Sequence, residues 1–201
     1  MLKKKNNVAI FASGSGTNAQ NMIEYFRNHD AIKISLIVSN NPDAFVLKRA
    51  EKEKMPKVIL SGKDWEEKGK AAKVLQDHQI DFIVLAGYLR LLPSWLIRQY
   101  PGKIVNIHPA LLPAYGGKGM YGEHVHRAVI ASGDKQSGIS IHLVNEEYDK
   151  GAIIFQARCP VLPSDTPETL AARIHELEYE HYPRVVEKVI MSNLWSVTGN
   201  G

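Results

Sequence analysis

The sequence predicts an α/β fold: a Rossmann-like, mostly parallel twisted sheet with helices on both faces and an antiparallel hairpin at one edge. In the first half of the chain, short apolar runs alternate with stretches that carry apolar residues at helical spacing. Parallel strands need crossover connections that place helices on both faces, so this alternation indicates a parallel sheet. In the second half, two strand-like runs, 138–144 and 152–160, are separated only by an acidic turn. That pattern is typical of an antiparallel hairpin.

The first half alternates strand and helix without a linker. Apolar and β-branched runs indicate strands at residues 5–12, 32–39, 57–60, 81–86 and 103–107. Apolar residues three or four positions apart indicate helices at 18–28, 44–54, 65–78, 93–99 and, in the second half, 123–132. Since no repeat or low-complexity segment interrupts this order, we expect residues 1–201 to form a single domain.

The second half begins with a long loop at 109–122 that holds two prolines and four glycines. Loops of this length usually serve a function. A long final helix is predicted from Thr166 to about Met191. Thr166 suits the N-cap and Pro167 the first helical position, but Thr169 stands where a capping box has Glu or Gln. The sequence therefore predicts only half of the usual capping arrangement.

Composition and charge limit the classes of protein to which the chain can belong. With 201 residues, 44% of them hydrophobic, the chain can bury a substantial core. The formal net charge is +4, but the lysines are scattered, so we expect binding to neither nucleic acid nor membrane. Cys159 is the single cysteine, and neither a signal peptide nor a membrane-spanning run is predicted. We expect a cytoplasmic monomer or homodimer.

The first candidate binding segment is the glycine-rich turn between the first strand and the first helix, Gly14, Ser15, Gly16, Thr17 and Asn18. A helix N-terminus offers unpaired amides to an anion, and glycine lets the backbone approach closely, so a bound phosphate is the favoured interpretation. The glycine spacing also fits a dinucleotide fingerprint, although the second strand lacks an acidic residue at its end for a ribose hydroxyl. A purely structural turn is the third interpretation.

The second candidate is the pair Asn106 and His108, which strand alternation directs to one face. Both lie at the carboxyl end of a predicted central strand, where open α/β sheets build their active sites. A fixed amide donor beside a titratable imidazole suits a reaction that forms an oxyanion. The alternative for His108 is a core histidine whose hydrogen bonds are satisfied.

The third candidate combines Ser140 and His142, which share a strand face, with Asp149 in the acidic turn that follows. A carboxylate in this turn can approach a neighbouring imidazole, fix its orientation and raise its pKa. The alternative is a solvated edge strand followed by a charged turn.

These motifs resemble those of folate-dependent formyltransferases, and the similarity extends over nearly the whole chain. The resemblance rests on the glycine loop, on the segment 84–92, on Asn106-Ile107-His108-Pro109 with Pro113, and on Ser140-Ile141-His142 with Asp149 seven positions after His142. The Ser-Gly-x-Gly-Thr-Asn loop and the compact length are similar to the phosphoribosylglycinamide branch of the family. The loop at 115–122 is longer than the family pattern, and Lys150 stands where many members have glycine.

The resemblance implies the formyltransferase fold and an enzyme of de novo purine biosynthesis. The formyl group of 10-formyltetrahydrofolate would pass to the amine of 5-phosphoribosyl glycinamide, giving 5-phosphoribosyl N-formylglycinamide and tetrahydrofolate. Asn106, His108 and Asp149 would be catalytic, with Asn106 and a protonated His108 donating to the oxyanion. Asp149 would favour that imidazolium and place a water that relays protons.

The resemblance also assigns the binding residues. The glycine loop would bind the phosphate, and His175 and Glu178 on the final helix would help hold the phosphoribosyl substrate, unless they are simply a solvated helix face. Ser140 and His142 would support the site. The residues implied for the folate are Leu85, Tyr88, Leu89, Arg90, Leu91, Leu92, Asn106, Glu146 and Asp149.

Two other functions remain open at this point. A 10-formyltetrahydrofolate hydrolase would use water as the acceptor, and a phosphate- or nucleotide-binding regulatory module would need only the glycine loop. We expect no metal, because Asp149 lies on a different element from the Asn106 and His108 pair and these side chains have no Cys or Glu partner at zinc spacing.

Overall fold

The computed structural model describes residues 4–66 and 69–192, and the elements in it follow the predicted order. The strands are β1 (Asn6–Phe11), β2 (Ile32–Ser39), β3 (Lys57–Ile59), β4 (Phe82–Leu85), β5 (Ile104–His108), β6 (Gln136–Leu143) and β7 (Ile153–Pro160). The helices are α1 (Thr17–Phe26), α2 (Phe45–Lys52), α3 (Lys70–Asp77), α4 (Ser94–Gln99), α5 (Glu123–Ser132) and α6 (Pro167–Met191).

The helix predicted at 65–78 differs from the structure. Residues Gly62–Trp65 form a short 3-10 helix instead, and α3 begins only at Lys70. Ser61 and Asp64 cap this 3-10 helix through reciprocal side-chain and main-chain hydrogen bonds. This local capping stabilises a separate turn, so the helical periodicity alone placed the start of α3 too early.

The described strands form one sheet in the order β3-β2-β1-β4-β5-β6-β7. β1 to β5 are parallel, whereas β6 is antiparallel to both β5 and β7. The predicted hairpin is therefore present, but only β7 lies at the edge, because β6 pairs with β5 as well. This pairing brings β6 directly beside the strand that carries Asn106 and His108.

Two hydrophobic cores cover the two faces of the sheet. One contains buried side chains of α1, α2, α5 and α6, and the other contains buried side chains of α3 and α4. The Tyr182 hydroxyl of α6 is buried and donates to the Leu85 carbonyl at 2.8 Å, with the Val105 carbonyl at 3.2 Å. α6 is thus fixed against the ends of β4 and β5. No helix in the described ranges is both long enough and apolar enough to cross a membrane.

α6 begins with a complete capping box, which corrects the prediction of half of one. The Thr169 hydroxyl accepts from the Thr166 amide at 2.9 Å, and the Thr166 hydroxyl accepts from the Thr169 amide at 3.3 Å. Threonine thus replaces the longer Glu or Gln. Pro183 lies inside this helix and cannot donate to the Tyr179 carbonyl. The side-chain Nδ2 of Asn21 on α1 donates to that carbonyl instead, at 3.0 Å.

Candidate active site

A cavity of about 730 Å³ opens where β1, β4 and β5 end. The sheet order changes direction between β1 and β4, because β2 and β3 lie on one side of β1 and β5 to β7 lie beyond β4. Loops that leave two such strands diverge and create a crevice, which is the usual ligand site of an open α/β sheet. The cavity walls come mainly from residues 14–18, 85–92, 106–109 and 117–123, from the turn after β6 and from α6.

Asn106 and His108 both line this cavity, as strand alternation predicted. Across the β5–β6 pair, Asn106 lies opposite His142 and His108 lies opposite Ser140. Nδ1 of His142 donates to the Leu143 carbonyl at 2.8 Å, and its Nε2 lies 3.1 Å from Nδ2 of Asn106. His142 therefore fixes the orientation of the Asn106 amide.

The His108 imidazole is only 3% exposed, and both of its nitrogens face polar groups. Nε2 donates to the Tyr115 carbonyl at 2.7 Å, and Nδ1 lies 3.6 Å from Oδ2 of Asp149. Burial lowers the pKa of His108 below its ordinary value, although Asp149 and the Tyr115 carbonyl act to raise it. Desolvation therefore opposes the imidazolium that the resemblance implies, and the nearby carboxylate favours it.

Asp149 contacts both of the other predicted catalytic residues. Its Oδ2 also accepts from the Gly117 amide at 2.9 Å, while Oδ1 lies 3.4 Å from Nδ2 of Asn106 and 3.6 Å from Nε2 of His142. Burial raises the pKa of Asp149, but His142, His108 and the Gly117 amide together bring it below its ordinary value. The carboxylate is thus ionised beside a buried imidazole. The predicted trio forms one cluster.

The glycine loop lines another part of the cavity. Gly16 has a φ of 70°, and a Cβ there would lie 2.4 Å from Cγ2 of Val46, so this position requires glycine. Nδ2 of Asn18 donates to Oε2 of the buried Glu178 at 2.8 Å, and Nδ1 of His175 donates to the same oxygen at 2.8 Å. The hydrogen bond to Glu178 raises the pKa of His175. The two predicted substrate segments are therefore joined through one carboxylate.

The segment 85–92 forms the wall that follows β4. Leu89 and Leu91 are 48% and 46% exposed, so the wall presents apolar surface to a ligand. Tyr88 packs its ring against Phe11 in the core, with 5.4 Å between ring centroids. Burial raises the pKa of Tyr88 to about 12. The remaining predicted folate residues of this segment also line the cavity, namely Leu85, Arg90 and Leu92.

Glu146 is the one predicted site residue in the turn after β6 that does not line the cavity. Its carboxylate lies 3.9 Å from the Arg98 guanidinium, at the surface. Its neighbours Asn145 and Glu147 do line the cavity. In an irregular turn, successive side chains follow no fixed period, so the sequence could not distinguish these three positions.

Ser140 supports the site from beneath the loop that follows β5. Its fully buried hydroxyl donates to the Ala110 carbonyl at 2.7 Å and accepts from the Leu112 amide at 2.9 Å. Gln156 on β7 also donates to this hydroxyl, at 2.8 Å. Ser140 thereby fixes the course of the chain just after His108.

His126 on α5 also lines the cavity, although the sequence analysis did not select it. It is 3% exposed, and its Nδ1 has no hydrogen-bond partner among the described residues. Burial lowers the pKa of His126. Helical spacing marks such a residue as core, and only the packing of α5 beside α6 shows that it reaches the cavity. No group of three or more His, Cys, Asp or Glu side chains within residues 4–66 and 69–192 is arranged to hold a metal ion.

The cavity lies where the strand order of the sheet changes direction, and it holds the cluster of Asn106, His108 and Asp149. Together these features define the class of protein. The family model described as formyl transferase matches residues 6–186, and the chain belongs to that family. Within it, the chain is similar to proteins named phosphoribosylglycinamide formyltransferase. It is 40% identical to the chloroplastic one of Arabidopsis thaliana over 91% of this chain, and spans 65% of that protein. It is 38% identical to the one of Haemophilus influenzae, covering 90% of this chain and 85% of that protein.

The solved structures agree with this classification. The crystal structure of phosphoribosylglycinamide formyltransferase from Bacillus halodurans is 36% identical, with a TM-score of 0.84 over 94% of this chain and 99% of that one. The structure from Anaplasma phagocytophilum is 33% identical, with a TM-score of 0.85 over 94% of this chain and 89% of that one. The fold is therefore that of the formyl transferases.

Proposed function

We propose that this chain transfers the formyl group of 10-formyltetrahydrofolate to the amine of 5-phosphoribosyl glycinamide in purine biosynthesis. The observation that carries the proposal is the placement of the Asn106, His108 and Asp149 cluster in one cavity with the glycine loop and the apolar 85–92 wall. Family membership and the names of the most similar relatives support the same reaction.

The two substrates would enter the cavity from different walls. The phosphate would take the amides of the glycine loop at the start of α1, where the helix dipole favours an anion. The Glu178 carboxylate beside it would accept hydrogen bonds from the sugar hydroxyls or the glycinamide. The folate ring would lie against the wall at 85–92, with the carboxylates of its tail near Arg90.

The amine nitrogen attacks the formyl carbon and forms a C–N bond, which gives a tetrahedral intermediate with a negative oxygen. Asn106 is the donor for that oxygen, since its contact with Asp149 at 3.4 Å is loose enough to be exchanged. The neutral His108 takes a proton from the attacking nitrogen, directly or through a water bound by Asp149. Asp149 stabilises the imidazolium so formed. The proton then passes to the folate nitrogen as the C–N bond to the formyl carbon breaks.

The test is formyl transfer by the purified protein, followed by the absorbance change on conversion of 10-formyltetrahydrofolate to tetrahydrofolate. Three acceptors are compared: phosphoribosyl glycinamide, its dephosphorylated riboside and water alone. We expect turnover with the phosphorylated substrate and much weaker turnover with the riboside. Equal rates with and without the acceptor would mean a hydrolase, and phosphate binding without any loss of the formyl group would mean a binding module.

A further inference from the structure

Residues 115–117, in the middle of the long loop at 109–122, hold both members of the His108 and Asp149 pair. The Tyr115 carbonyl accepts from Nε2 of His108 at 2.7 Å, and the Gly117 amide donates to Oδ2 of Asp149 at 2.9 Å. Between them, a Cβ on Gly116 would lie 3.3 Å from Cβ of Asp149, so the backbone packs directly on that residue. This three-residue segment therefore sets how Nδ1 of His108 faces the carboxylate, which lies 3.6 Å away.

The side chain of Tyr115 anchors this segment at the end of α5. Its hydroxyl lies 2.5 Å from Oδ2 of Asp134 and 2.6 Å from Oγ of Ser132. The anchor is itself ordered, because Ser132 donates to the Val129 carbonyl at 2.7 Å and Gly133 ends the helix in the left-handed conformation. Tyr115 has a φ of 56°, which is unfavourable for an aromatic residue and needs such contacts to hold it.

We propose that Tyr115 is a positioning residue: its side chain, anchored on Asp134 and Ser132, holds its own carbonyl against Nε2 of His108 and so directs Nδ1 toward Asp149. The role rests on the proposed function, in which Nδ1 moves the proton. A carbonyl that accepts from Nε2 fixes the tautomer with a free Nδ1 lone pair, which is the form a base requires. The same hydrogen bond favours the charged imidazole, because an imidazolium is the stronger donor.

The pKa of His108 depends on nearby titratable side chains as well as on the hydrogen bond to the Tyr115 carbonyl. Asp149 in the turn after β6 raises the pKa of His108, Glu178 on α6 does so more weakly, and His142 on β6 lowers it. His126 on α5 is also electrostatically coupled to His108. None of these side chains is altered when the Tyr115 hydroxyl is removed. A changed His108 titration in Tyr115→Phe would therefore report the loss of the carbonyl contact.

The test uses Tyr115→Phe, which keeps the ring and removes only the hydroxyl. We expect kcat to fall about three- to thirtyfold, as for the loss of one hydrogen bond that matters in the transition state, with both KM values within about threefold. The acid limb of the pH profile should move to lower pH. Side-chain ¹⁵N NMR should show the Nε2–H tautomer of His108 in the wild type and a mixture with a lower pKa in the variant.

Tyr25→Phe is the matched control, because the Tyr25 hydroxyl also lies 2.5 Å from a carboxylate, that of Glu187, and Tyr25 does not line the cavity. It should leave kcat, the pH profile and the His108 spectrum unchanged. Asp134→Asn retains an acceptor for the Tyr115 hydroxyl and should keep more activity than Asp134→Ala. This pair of variants gives a second measurement if Tyr115→Phe does not fold. Wild-type kinetics and an unchanged His108 tautomer in Tyr115→Phe and Asp134→Ala would overturn the proposal. If wild-type protein transfers no formyl group, the proposed function fails, while the NMR comparison still decides whether Tyr115 positions His108.

Discussion

Replacing Asp149 by asparagine removes one negative charge from the cluster and changes little else. Asn is nearly isosteric with Asp, and both tolerate the left-handed φ of 55° that this residue adopts. The Asn carbonyl can still accept from the Gly117 amide, which now donates to Oδ2 of Asp149 at 2.9 Å. We therefore expect Asp149→Asn to fold and to keep most of its substrate binding.

The expected loss of rate follows from the geometry of the pair. Oδ2 of Asp149 lies 3.6 Å from Nδ1 of His108. At an effective dielectric constant of about 20, two unit charges at this distance attract by roughly 4 to 5 kcal/mol. If His108 carries the transferred proton in the transition state, turnover should fall roughly a hundred- to ten-thousandfold. Since Asp149 raises the pKa of His108, the variant should also show an acid limb at lower pH.

The measurements are steady-state kcat and KM for both substrates between about pH 5 and 8, with circular dichroism to confirm folding. His108→Ala should be similarly impaired, and the double variant should lose little more, because residues that act as a unit are not additive. Asp77→Asn, which removes a carboxylate paired with Lys73 at the surface, serves as the control. Turnover of Asp149→Asn within a few fold of the wild type would show that the carboxylate does not stabilise an imidazolium.

Three further variants test other parts of the structure. Gly14→Leu should raise KM for the phosphoribosyl substrate at least tenfold and leave the folate KM unchanged. A Cβ at this position meets nothing within 4 Å, so the protein can accommodate the leucine, whose side chain would occupy the proposed phosphate position. Steady-state kinetics with both KM values unchanged would refute this prediction. Arg90→Ala should raise KM for the folate alone, and less so at high salt, because Arg90 lies in the cavity wall at 85–92, where we propose that the folate binds, and its charge is exposed to screening. Asp165→Asn should lower the free energy of unfolding at pH 7 by about 1 to 3 kcal/mol, because the carboxylate accepts two hydrogen bonds from Arg173 at 2.8 and 3.0 Å. Arg173 holds the pKa of Asp165 well below its usual range, so this stabilisation is present above about pH 4 and is lost as the pH falls. Urea unfolding should therefore show a smaller difference in unfolding free energy between wild type and variant at pH 3 than at pH 7.

The elements could be read from the sequence because their signals are local. β2 spans Ile32–Ser39 and α5 spans Glu123–Ser132, as the apolar patterns predicted. The predictions were less accurate where a local hydrogen bond decided the outcome, as at the 3-10 helix capped by Ser61. The Thr166 capping box was underestimated for the same reason, because whether a threonine hydroxyl reaches the helix N-terminus depends on its rotamer.

The sequence by itself also determined which side chains could meet, since alternation along β5 directs Asn106 and His108 to one face. Only the tertiary structure decided how they meet. The pairing of β6 with β5 places His142 against Asn106, and the turn after β6 brings Asp149 toward His108 while Glu146 lies outside. The direction in which the pKa of His108 shifts was likewise beyond the sequence, because it depends on burial set by every element packed around the imidazole. Periodicity reports the direction of a side chain from its own strand, whereas distance and desolvation are properties of the assembled core.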